Sequence, residues 1–184
     1  MNLKKLFEAQ RVLDEHIMNE HPELHESESN LDWKLLALQV ELGECANEWR
    51  GFKKWSNDQK PRTEVLTVNP DKTHKNKPWI MRNLLLEEYV DCLHFILSIG
   101  LELDVRPNLD WDDICHYDDD ITNLFLDFNI KIQDLRHWES DDSWIELFED
   151  FYILGKMLGF TWDQIEQAYF EKNQINHQRQ NHGY

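Results

Sequence analysis

Apolar residues recur at three- and four-residue intervals along most of the chain, the spacing that keeps one face of a helix apolar. Leu3, Leu6, Leu13 and Ile17 open the series, and the pattern continues through residues 31–52, 81–103, 121–135, 144–158 and 165–175. It predicts an all-α fold of about six helices. Helix starts are expected at Ser29-Asn30, at Asp141-Asp142-Ser143 and at Thr161, whose side chains can accept from free backbone amides. Gly159 is the expected stop of the helix before it. One short β-like run, Thr63 to Val68, interrupts the helical pattern and reads as a small hairpin arm.

A chain of 184 residues suffices for one packed core, so residues 1–184 read as a single domain. Residues 57–78 form a basic connecting loop or arm within it, and residues 103–140 an acidic variable region. The formal charge of −17 argues against direct nucleic-acid binding, which needs a basic surface to release counterions. That charge is unevenly spread. Residues 53–82 hold eight basic residues against three acids, about +5, and residues 103–150 hold three against fifteen, about −12.

Cys45, Cys92 and Cys115 are far apart and unpaired by any Cys-x-x-Cys motif, which suggests neither a disulfide framework nor a thiolate zinc site. No apolar stretch reaches membrane-spanning length, and Glu8 comes before any run fit for a secretion signal. No membrane association and a cytoplasmic location are expected.

The helix "VELGECANEWRGFKKW" carries the candidate chemistry. At about 100° per residue, Glu41, Glu44 and Glu48 share an arc of about 60°. Trp33 and Val40 flank that arc on one side, Leu38 and Cys45 on the other, while Gln39, Gly43, Asn47 and Arg50 mark a separate solvent face. In "NLLLEEYVDCLHFIL", Glu88 and Asp91 again lie about 60° apart among apolar neighbours. Buried carboxylates protonate, pair with a cation or bind metal. Two readings stay open: an ionic network with Lys53, Lys54, Arg82 or another base, or a site for magnesium or manganese, which all-oxygen ligation favours over zinc. The basic segment between the two acidic helices weights the second, because a polyphosphate needs both metals and cations. His21 and His25 stand four apart, but with Pro22 between them and no further ligand they read as surface residues.

Glu41-x-x-Glu44 and Glu88-x-x-Asp91 resemble the signature of the MazG-like all-α nucleoside triphosphate pyrophosphohydrolases. The C-terminal "YFEKNQINHQRQNHGY", with the early "LFEAQRVLDEHI" and "GFKKW", resembles the dimeric dUTPase branch found in some bacteria, phages and trypanosomatids. The resemblance implies a homodimeric MazG-like helical bundle that hydrolyses dUTP, and usually dUDP, to dUMP with Mg2+ or Mn2+, two or more ions per site. It places metal at Glu41, Glu44, Glu88 and Asp91, phosphates at Lys54, Lys172, Arg179 and Tyr184, and the nucleoside at Gln10, Trp55, Phe95 and Asn176. Glu41 is the candidate base, and Glu48 falls outside the four-acid signature. The alternatives are another MazG-like pyrophosphohydrolase, acting for example on dCTP, or an acidic helical regulator. The regulator would bind a repressor or other DNA-binding protein through residues 103–140.

Overall fold

The computed structural model describes residues 3–26, 29–69, 78–106 and 120–183. Along these the chain forms α1 (Leu3–Glu20), a 3-10 turn (Pro22–Glu26), α2 (Leu31–Trp49), strands β1 (Val65–Val68) and β2 (Trp79–Arg82), α3 (Leu84–Glu102), α4 (Ile121–His137), α5 (Asp141–Met157) and α6 (Trp162–Asn181). The all-α reading holds, with six α-helices among the described residues. The arm is a true hairpin whose strands pair antiparallel, Val65 with Arg82 and Val68 with Trp79. Its second strand takes Met81, which the apolar periodicity had assigned to a helix.

α3 is the axis of the bundle. It packs on α1, α2, α5 and α6, and its buried residues run almost all round it, from Leu85 and Tyr89 to Ile99 and Gly100, the pattern of a helix without a solvent face. Two large polar side chains tie it to α5, and backbone carbonyls satisfy both. Tyr89 donates its hydroxyl to the Phe151 carbonyl at 2.8 Å and stacks on the Phe151 ring, centroids 4.2 Å apart. Trp144 is fully buried and donates Nε1 to the Ile96 carbonyl at 2.8 Å. Each such side chain contributes about 2–3 kcal/mol through apolar burial.

The helix ends explain how the polar residues are aimed. Thr161 and Gln164 form a capping box at the start of α6, as the sequence suggested. Ser140, rather than the Asp141-Asp142-Ser143 run, caps α5 by accepting from the Ser143 amide. Ser29 Oγ, not Asn30, accepts from the Leu31 amide at the start of α2. Gly159 follows α5 with φ at 88°, where a side chain would be strained. α2 stops at Trp49, short of the periodicity, because Arg50 adopts a left-handed φ of 66°.

That turn corrects the solvent-face assignment of Arg50. Its guanidinium folds back onto Asp58, with Nη2 at 2.9 Å from the carbonyl and 3.0 Å from the carboxylate, and the residue is buried.

Gly155 lets α5 approach α3 closely: an added Cβ would overlap the Tyr89 hydroxyl and lie 2.8 Å from Cζ. Gly155→Ala is therefore expected to cost about 3 kcal/mol by overpacking and to lower the melting temperature by about 8 °C. Thermal unfolding by circular dichroism checks this, and a shift under 2 °C would contradict it.

Candidate active site

Four helices converge on one cavity of about 380 Å³. α1 contributes Gln10 and Asp14, α2 Trp33, Lys34 and Glu41, α3 Asp91, His94, Phe95 and Ser98, and α6 Asn176 and Arg179. One end is acidic. Glu41, Glu88 and Asp91 each offer a carboxylate oxygen within 4.8 Å of the others, because the close α2–α3 packing brings the two carboxylate arcs face to face.

Lys172 and Arg179 only partly offset the repulsion within this trio. Burial, then repulsion from Asp91 and Glu44, pushes Glu41 up from its ordinary 4.5 to about 7. Burial and Asp91 push Glu88 up to about 7 as well. Asp91 is raised by burial despite Lys172, whose Nζ lies 2.5 Å from Asp91 Oδ2.

The candidate bases for an ionic network are mostly engaged elsewhere: Arg82 pairs with Glu87, Arg62 with Glu48 at 3.2 Å, and Lys53 bonds Asn47. Among the described residues Glu41 and Glu88 have no ion pair.

Glu44 stands apart from the trio. It is exposed, and so are Trp33 and Val40, at 41% and 52%. The apolar wall expected on that side is therefore open to solvent. Glu48 is nearly covered but held by Arg62.

The other end of the cavity is a hydrogen-bonded polar network. His94 Nδ1 and the Tyr169 hydroxyl both donate to Gln10 Oε1 at 2.9 Å. Gln10 Nε2 donates to Asp14 Oδ1 at 2.7 Å, and Ser98 Oγ to Asp14 Oδ2 at 2.7 Å. Burial, reinforced by Lys172, lowers His94 to about 3, so the imidazole is neutral. Nε2 is buried and makes no well-formed hydrogen bond among the described residues. Burial raises Asp14. Lys34 donates to Glu102 at 2.8 Å.

The structure thus brings together Glu41, Asp91, Gln10, Phe95, Asn176 and Arg179 around the cavity, with Glu88 and Lys172 against its acids. Lys54 and Trp55 lie outside its lining, on the loop after α2. Lys54 is exposed, and Trp55 is 78% exposed, edge-on to Phe52. Tyr184 lies outside the described residues. Sequence reading set His94 beside the site, left Asp14 either orienting a neighbour or facing water, and did not single out Lys34 or Ser98. The signal available was the four-residue spacing of Gln10 with Asp14 and of His94 with Ser98, which puts each pair on one helical face.

The dUTPase family model matches residues 2–74 and again 67–184, together the length of the chain. The chain belongs to the all-α dUTPase family. It is therefore a dUTP diphosphatase. No individual curated protein and no solved structure matches it. dUTPases depend on divalent metal, and the clustered carboxylates of Glu41, Glu88 and Asp91 are the hard oxygen donors such an ion takes. No helix of the described residues is long and apolar enough to cross a membrane.

Proposed function

We propose that this dUTPase takes dUTP and dUDP as substrates, uses Mg2+ with two or more ions per site, and works as a homodimer in the cytoplasm. The observation that carries the metal assignment is the half-buried pair Glu41 and Glu88, pushed to about 7 despite Lys172 and with no direct ion pair among the described residues. Glu41, Glu88 and Asp91 would hold the cation, with Glu44 joining from the open side.

A bound divalent cation supplies an acidified water and neutralises charge on the phosphates. Glu41 takes the proton of the attacking water, whose oxygen bonds to the β-phosphorus as dUMP leaves. Lys172 and Arg179 stabilise the charge that develops on the transferred phosphates. Lys54 and Tyr184 complete the phosphate contacts from the rim and the C-terminus.

Phe95 stacks on the base, and Asn176, Gln10 and Trp55 complete the nucleoside pocket. The two buried free thiols, Cys45 and Cys92, agree with a reducing compartment. The described part of the acidic region, residues 103–106 and 120–140, is mostly α4, whose Leu124, Phe125, Phe128, Ile132 and Leu135 are buried in the bundle, and nothing in it singles out a repressor.

Phosphate release with Mg2+ from dUTP, dUDP, dCTP and dTTP tests the reading. Turnover of dUTP and dUDP is expected, with kcat/KM for dCTP lower by about 100-fold or more because it leaves buried polar groups unpaired. Equal turnover of dCTP or dTTP would refute the uracil preference.

A further inference from the structure

The hairpin of β1 and β2 has one uncovered face. The register sets Leu66 opposite Met81 and Val68 opposite Trp79, and alternation puts all four side chains on the same side. They are 60%, 60%, 65% and 56% exposed in that order. No helix of the described residues packs extensively on either strand. A two-stranded hairpin alone is marginal in water, and a contiguous exposed apolar patch marks an interaction surface. The family match also breaks in this arm, its two stretches overlapping at residues 67–74.

A complementary surface lies between α4 and α5. A groove of about 400 Å³ there is lined by apolar Ile130, Ile153 and Met157 and by the acids Asp127, Asp134 and Glu146. Lys131, also in its lining, is already paired with Asp150 at 2.9 Å. The arm has the opposite charge. Residues 60–82 contain six basic residues and two acids, and with Arg62 and Arg82 taken by Glu48 and Glu87, the excess rests on four lysines.

We infer that the apolar face of this arm seats in the acidic α4–α5 groove of a second copy of the chain. The inference rests on the homodimer reading and adds its contact. An isologous two-fold makes such a contact twice. Four such side chains offer about 400 Å² of apolar surface, so one arm and one groove per protomer approach the roughly 800 Å² per partner of a standard interface. Nucleic acid suits the lysines but meets a chain of net charge −17, whereas the groove of a second copy turns that charge into attraction.

Analytical ultracentrifugation of the full chain provides the test. The wild type is expected to be a dimer that weakens at high salt. V68T/M81T in the arm and I130T in the groove should each raise the dimer Kd about tenfold or more with the fold unchanged by circular dichroism. M81C chains mixed with I130C chains should give a disulfide-linked heterodimer on oxidation. Unchanged Kd in both variants without that crosslink would place the interface elsewhere and overturn the inference. So would crosslinking within a single M81C/I130C chain, or loss of duplex-DNA retention in V68T/M81T with the dimer intact. A monomeric wild type that still hydrolyses dUTP would overturn the homodimer and the arm contact together while leaving the enzymatic reading in place.

Discussion

Glu88→Gln is expected to lower kcat for dUTP by about 10³-fold or more, equivalent to about 4 kcal/mol of lost transition-state stabilisation, while making the metal-free protein more stable. The two effects have one cause. Glu88 lies half-buried beside Glu41 and Asp91 without an ion pair among the described residues. Folding therefore pushes carboxylates together that the unfolded chain keeps apart. Glutamine preserves the shape and removes the repulsion, and with it a ligand for the cation that the carboxylates are arranged to hold. A structural acid would behave in the opposite way. Glu87, bonded to Arg82 Nε at 2.8 Å, or Glu102, held by Lys34, should lose stability on neutralisation and leave kcat nearly intact. Steady-state kinetics with melting curves on Glu41→Gln and Glu88→Gln, beside Glu87→Gln, separate the cases. Near-normal turnover in both Glu41→Gln and Glu88→Gln would refute the metal-site reading.

How much of this could be read from the residues alone depended on distance along the chain. Glu41 with Glu44, and Glu88 with Asp91, are local patterns, and helical periodicity places them. That they face each other follows once both helices bury an apolar stripe on the same neighbour. The solvent exposure of Glu44 did not follow. Trp33 and Val40 are apolar, and composition cannot tell an apolar residue covering the core from one left exposed on the rim of a cavity. Arg50 shows the converse error, since a helix wheel places its Cβ but not a side chain drawn back to Asp58 by a left-handed turn. β2 is hidden in the sequence because Trp79–Arg82 runs straight into α3, so Met81 is absorbed into the helical period. The His94–Gln10–Asp14–Ser98 network joins residues 84 apart. Each member looks ordinary on its own helix, and only the packing of α1 on α3 makes them a site.

The same repulsion gives the metal-free enzyme an unusual pH response. Glu41 and Glu88 sit at about 7 in the folded chain against an ordinary 4.5, so between these values the native state binds protons that the unfolded chain has released. Stability then falls as pH rises across that window and stays lost above it. The groups are half exposed, so solvent screening reduces the effect below the full value of the shifts, but its sign is fixed. A cation competes with those protons. Its binding should be weak near pH 5, where the carboxylates are protonated, and strong at pH 8. At a concentration about 100 times its Kd, Mg2+ adds about 2.7 kcal/mol, or about 8 °C in melting temperature for a chain of this size. Melting in EDTA should therefore move downward from pH 5 to pH 8, and Mg2+ should restore it at pH 8 with little effect at pH 5. In the Glu41→Gln/Glu88→Gln double variant both the downward slope and the Mg2+ response should largely vanish. A Mg2+ shift as large in that variant as in the wild type would locate the ion away from these acids.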